Sequence, residues 1–151
     1  MRYFFISNRF TVSIQADPEF VFAYVSDLPR HSEWNTGLTV EALAPGPMRV
    51  GSEYRSIGQP GNAMNIVTLT YYQPPTRFTF VASHSTFGDV THEFVVRPDG
   101  AGALLDRIVT SSMRLHQALI WRWIVWPLID RPSMNKSMAA LKRRIEELQG
   151  K

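Results

Sequence analysis

Apolar and polar residues alternate strictly across RFTVSIQA: Phe10, Val12 and Ile14 fall on one side, Thr11, Ser13 and Gln15 on the other. A period of two predicts a half-buried β-strand. After it the period lengthens. Val21, Tyr24, Val25 and Leu28 form a helical stripe, with Asp17 suited to the N-cap, Pro18 to the first helical position and Glu19 to the positive end of the dipole. Pro29 forces a new start, and PRHSEW reads as a second short helix. From Gly37 to about Met113, LTVEALAP, GSEYRSIG, MNIVTLTYYQ, RFTFVASH, DVTHEFVV and ALLDRIVTSSM are separated by PGP, GQPGN, PPT, STFG and RPDGAG. Turn clusters at this spacing predict successive hairpins and an antiparallel meander.

The chain then returns to helical spacing. Met134, Met138, Leu141, Ile145 and Leu148 make a narrow seam, with Arg131-Pro132-Ser133 as its entrance and Ser133 as an expected N-cap. Strand, two short helices, about six strands and a long helix predict one α+β domain over residues 1–151. There is no internal repeat, low-complexity segment or linker.

Between the last strand and the seam lies LIWRWIVWPLI, residues 119–129, with three of the four tryptophans. It is too short, and too interrupted by Arg122 and Asp130, for the run of about 20 apolar residues that spans a bilayer. Pro127 predicts a kink in any helix here. Trp121, Trp123 and Trp126 do not share one face of an α-helix, so the segment reads as apolar all round. The favoured expectation is a lid over a cavity. Core packing and docking on a membrane or protein are the alternatives.

Composition narrows the picture. With 44% apolar and 19% charged residues the chain is that of an ordinary folded protein. A net charge of +3, with Lys142, Arg143 and Arg144 the one dense basic run and Glu146 and Glu147 close behind, argues against nucleic acid as partner. There is no cysteine, hence no disulfide or thiol chemistry. The opening MRYFFISNRF lacks the apolar stretch of roughly 7–15 residues of a signal peptide, so a cytoplasmic location is expected.

ADPEFVFAYVSDLPRHSEWNTG, RVGSEYR, YYQPPTRFTF, GAGALLDRIV and MAALKRRIEEL, in that order, resemble segments of the SRPBCC (START/Bet v 1-like) superfamily, in particular its polyketide cyclase/dehydrase-like branch. Ala103 stands where that branch usually has Thr. The resemblance covers nearly the whole chain. It implies a helix-grip fold: a curved antiparallel sheet wrapped round a long last helix, with an apolar cavity between them. It implies less about activity, since the superfamily includes lipid carriers, quinone binders, hormone receptors and aromatases.

Catalytic motifs are absent. His84 and His92 lack the helical spacing of a metal pair, and His31 and His116 are far off in sequence, so neither metal nor cofactor is expected. Parity places Phe78, Phe80, Ala82 and His84 on one face, and Val90, His92, Phe94 and Val96 on another. With both faces inward, His92 sits across from Phe80 or Ala82. A two-residue turn at Asp99-Gly100 pairs Pro98 with Ala101 and sets Arg107 opposite His92, with Leu105 and Val109 inward. A three-residue loop with a bulge turns Asp106 inward instead, beside Leu104 and Ile108. The resemblance favours the first register. An inward Arg107 needs a partner: Glu53, Glu93 or neighbours of Asp106, solvent at the cavity mouth, or a ligand carboxylate, enolate or phenolate.

Three functions follow. The first is binding of a hydrophobic small molecule (lipid, quinone or polyketide-like aromatic) by a monomer or homodimer. The candidate ligand-binding residues are Tyr24, Trp34, Tyr54, Phe78, Phe80, His92, Phe94, Arg107, Trp123, Met134 and Met138. The runner-up is a cyclase/dehydratase-type enzyme with His92 and Arg107 as candidates for proton transfer and enolate stabilisation. The third is peripheral docking through the tryptophan segment.

Overall fold

The computed structural model describes residues 2–58, 63–84 and 88–150; the turns expected at 59–62 and 85–87, and the side chain of His84, lie outside them. Seven strands form one antiparallel sheet in the order β1-β7-β6-β5-β4-β3-β2. They are β1 (Tyr3–Ile14), β2 (Leu38–Ala42), β3 (Glu53–Gly58), β4 (Ala63–Gln73), β5 (Arg77–His84), β6 (Gly88–Asp99) and β7 (Gly102–Arg114). Strands β2 to β7 are the expected meander, and the first strand closes it by pairing along β7 from Tyr3↔Arg114 to Ile14↔Ala103.

The crossing from β1 to β2 is made by α1 (Pro18–Ser26) and a 3-10 helix (Leu28–Glu33). Asp17 caps α1 through a hydrogen bond accepted from the Glu19 N–H at 2.9 Å. Val21, Phe22 and Val25 of α1 are buried on the concave side of the sheet, with Leu69, Phe78, Phe94, Val96 and Leu105 among the strand residues they join in the core. A register shift in the β4–β5 ladder between Leu69 and Tyr71 changes the inward parity, so Val67 and Leu69 precede it and Tyr72 follows it against Phe22. Such a bulge adds local twist and bend.

The last helix is unbroken from Leu115 to Leu148: α2 (Leu115–Ile120), a π-helical segment (Trp121–Asp130) and α3 (Arg131–Leu148). Ser133 is therefore not an N-cap, contrary to expectation. The π-helical segment passes straight into α3, so position 133 is inside a continuous helix, with Pro132 just before it. Met138, Leu141 and Ile145 form the buried seam, whereas Leu148 is exposed beyond it. Among the described residues no helix is long and apolar enough to cross a membrane. With its single curved sheet gripping a long helix, the chain has the helix-grip fold.

At Gly102 the closing strand leaves no room for a side chain. A Cβ there would stand 2.5 Å from the Ile14 carbonyl oxygen, a backbone atom that yields only if β1 moves. Gly102→Ala is expected to destabilise the fold by about 1–3 kcal/mol, the scale of overpacking, read as a lower denaturation midpoint in urea.

Candidate functional site

Large rings fill only part of the concave face. Phe78 and Phe94 stack with centroids 4.9 Å apart and planes 4° from parallel, and Phe22 meets Phe78 edge-on at 5.8 Å. Phe80 stacks on His92 at 4.8 Å, as expected for partners across the β5–β6 ladder. Beyond His92 the inward residues become smaller. A cavity of about 570 Å³ opens there between the sheet and the last helix. Its floor is Asn8 of β1, Val90 and His92 of β6, and Arg107, Val109, Ser111 and Met113 of β7. Its roof is Gln117 and Ile120 of α2, Trp121, Val125, Trp126 and Asp130 of the π-helical segment, and Ser133, Met134 and Ser137 of α3. Asn35, which follows the 3-10 helix, closes one end.

The π geometry builds the roof. Nine residues make two and a half turns of an α-helix, which would set Trp121 and Asp130 on opposite sides. The wider π turn, with its i→i+5 bonds, brings them together. The Trp121 Nε1–H donates to Asp130 Oδ2 at 2.7 Å, and Trp121 meets Trp126 with centroids 5.0 Å apart. Trp126 in turn contacts Phe10 of β1 at 5.6 Å. As expected, the three tryptophans do not share one face, but the π period groups two of them. Trp121 and Trp126 face inward together, while Trp123 is 72% exposed.

The β6–β7 hairpin has neither expected register. The two-residue turn is Gly100-Ala101, with Asp99 paired to Gly102, so Phe94 is opposite Arg107 and His92 opposite Val109. The shift of two keeps parity, so Arg107 stays inward and Asp106 faces outward. His92 and Arg107 are diagonal neighbours, with Arg107 Nη2 3.4 Å from His92 Nδ1. Both residues 106 and 107 are buried, on opposite faces. Asp106 accepts from Thr11 Oγ1 at 2.5 Å and pairs with Arg97 Nη2 at 2.8 Å. Glu93 pairs with Arg77, not Arg107.

Arg107 has no such settlement. Its Nε and Nη1 have no hydrogen-bond acceptor among the described residues. Its guanidinium lies 5.6 Å from the Trp34 ring centroid and 5.3 Å from that of Phe94. Burial pulls its pKa down to about 10, which leaves it charged at neutral pH. Close by, His31 is buried among the rings of Trp34, Phe80 and Phe94, its Nε2 bonded to the Val25 carbonyl at 2.7 Å. Since a carbonyl only accepts, that nitrogen carries the proton.

Of the residues expected to contact a ligand, His92, Arg107 and Met134 line the cavity. Phe78, Phe80 and Phe94 are core, Trp34 is buried beside Arg107, and Met138 is buried one helical turn beyond Met134. Tyr24 is buried in α1 with its hydroxyl donating to Glu33 Oε2 at 2.6 Å; burial and that bond raise its pKa. Tyr54 is buried in β3, away from the cavity lining. Trp123 turns to solvent because the π period carries it off the inner face. Sequence reasoning missed Asn8, Asn35, Gln117, Ser111 and Asp130. Parity along β1 and β7 would have found Asn8 and Ser111.

A family model described as polyketide cyclase / dehydrase and lipid transport matches residues 6–146. No curated protein matches the sequence. Among solved structures, protein CV1439 from Chromobacterium violaceum is 18% identical, with 93% of this chain and 97% of that one covered and a TM-score of 0.66. TTHA0849 from Thermus thermophilus is 17% identical, with the same 93% and 97% covered and a TM-score of 0.73. Ara h 8.0201 is 12% identical, with 93% and 97% covered and a TM-score of 0.66. At these identities the likeness is one of fold.

His31 gives the stability of the fold a pH dependence. Burial, assisted by the charge of Arg107 and opposed by the Val25 bond, lowers its pKa from 6.5 to about 4. The unfolded chain thus binds this proton more readily than the fold. The contribution of neutral His31 is complete above pH 6.5 and is lost as pH falls to about 4, on the order of 3 kcal/mol in all. His31→Gln is expected to be less stable than the native protein at pH 7.5. Between pH 6.5 and 4 it is expected to lose less further stability, in urea titrations at each pH.

Proposed function

Because this chain belongs to the polyketide cyclase / dehydrase and lipid transport family, we propose that it binds a hydrophobic small molecule in the cavity between sheet and last helix. Lipids, quinones and polyketide-like aromatics are the candidate classes. The observation that carries the reading is the cavity itself. Its volume of about 570 Å³ is in the range of small-molecule sites, and Val90, Val109, Met113, Val125, Trp126 and Met134 supply an apolar wall. In this reading residues 1–151 act as one domain, as a monomer or homodimer in the cytoplasm, where a chain without cysteine is suited to the reducing conditions.

An environment-sensitive apolar dye is expected to bind the native protein with micromolar-range affinity, about −8 kcal/mol. Val109→Trp, which fills the cavity from its floor, is expected to abolish the dye signal while far-UV dichroism and cooperative unfolding persist. A native protein that gives no dye response, and takes up neither long-chain lipids nor quinones, would refute the reading.

A second reading, peripheral contact with an anionic lipid surface, is favoured by the outer side of the same helix. Leu119, Trp123, Ile124, Leu128 and Ile129 are exposed there, with Arg114, Arg122 and Arg131 around them. The one acid in that stretch, Asp130, is bonded to Trp121. Apolar residues flanked by arginines suit an interface of this kind. Co-sedimentation with phosphatidylglycerol vesicles is expected for the native protein and is expected to fall several-fold in Trp123→Ser. Equal recovery of both proteins in the pellet, or of neither, would count against this contact.

A further inference from the structure

We propose that the ligand of the cavity bears an oxyanion, a carboxylate or an ionised enol or phenol, which Arg107 receives while the apolar wall holds the remainder. This rests on the ligand-binding reading above and specifies the chemical class of its ligand.

Arg107 is only 5% exposed, yet it lines the cavity. Two of its three nitrogens, Nε and Nη1, meet no hydrogen-bond acceptor among the described residues. The third, Nη2, lies 3.4 Å from His92 Nδ1. Trp34 and Phe94 hold the guanidinium by their faces. Ring faces attract a cation but do not satisfy its in-plane N–H donors. A buried charge in this state is costly unless something else compensates it. The indole Nε1 of the adjacent Trp34 is also buried without an acceptor among the described residues.

The acids around it are engaged elsewhere. Asp106 faces outward to Thr11 and Arg97, Glu93 is bound to Arg77, and Glu33 receives the Tyr24 hydroxyl and Arg144. Asp130 does line the cavity, but on the helical roof, where it accepts from Trp121. A ligand oxyanion is thus drawn to the floor and repelled from the roof. The fork of the guanidinium matches two oxygens of one carboxylate, whereas a water molecule would satisfy a donor without neutralising the charge.

The test uses two acid–neutral pairs at pH 7.5, decanoate with 1-decanol and 2-naphthoate with 2-naphthamide, each displacing the apolar dye. At least one acid is expected to bind about tenfold or more tightly than its neutral partner, the scale of a charge-assisted hydrogen bond. Arg107→Leu is expected to abolish that preference, so that each acid binds no more tightly than its neutral partner. Arg107→Lys, which keeps the charge but loses the fork, is expected to retain part of it, and it serves alone if the Leu variant does not fold. If neither acid outbinds its partner while the dye still binds, the oxyanion proposal is overturned and the hydrophobic-ligand reading stands. If the preference is full in every folded Arg107 variant, the anion is held elsewhere and the proposal again fails. If the dye itself does not bind native protein, both readings fall together.

Discussion

The stack of Phe78 on Phe94, extended by Phe80, is the contact on which the rest of the molecule depends. Phe22 ties α1 to it edge-on, and His31 ties the 3-10 helix to it through Phe80 and Phe94. The two short helices are thereby fixed against the concave face of the sheet. The stack also ends at a definite place, His92, which lies flat on Phe80. On one side of that ring the space between sheet and helix is filled with aromatic carbon. On the other it is left open. The same packing that stabilises the fold therefore sets the boundary of the cavity, and Arg107 stands on the boundary.

Asp106 and Arg107 show why that arginine is not neutralised by its nearest neighbour. Opposite charges at adjacent positions invite pairing, but the pleat sends consecutive side chains to opposite faces. Asp106 finds Thr11 and Arg97 outside, and Arg107 finds rings inside. The strand keeps the two charges on opposite faces, and the inward one is not paired with its neighbour.

Much of the fold was legible because period-two alternation and turn clusters mark strands directly. β5 was foreseen over the whole of RFTFVASH, and the stripe of Val21, Tyr24, Val25 and Leu28 is buried as its spacing implied. Of the two registers considered, the one the family resemblance favoured turned Arg107 inward rather than Asp106; the observed register differs from it by two, which preserves parity. The roof was not legible. Reading residues 119–129 with the α period scattered the tryptophans round the axis, and Trp123 was chosen where Trp121 and Trp126 line the cavity. Nothing in the side chains announces i→i+5 bonding; what makes it intelligible is the Trp121–Asp130 bond, which only tertiary structure reveals. The tyrosines were ambiguous for another reason. A hydroxyl able to face a cavity is equally able to face a carboxylate, and Tyr24 faces Glu33.

The closing ladder has a consequence for how the molecule comes into being. β1 precedes the other described strands in the chain and its partner β7 is the last of them, so Ile14 must find Ala103 across almost the whole meander. Contacts this remote in sequence slow folding, because the entropy of closing the loop is lost before the ladder forms. On a ribosome adding about 5–20 residues per second, β1 waits roughly 5–20 s for its neighbour. Throughout that time Phe10, Val12 and Ile14 sit on a strand with both edges open. Until β7 emerges, that apolar strand is a template on which another chain could pair.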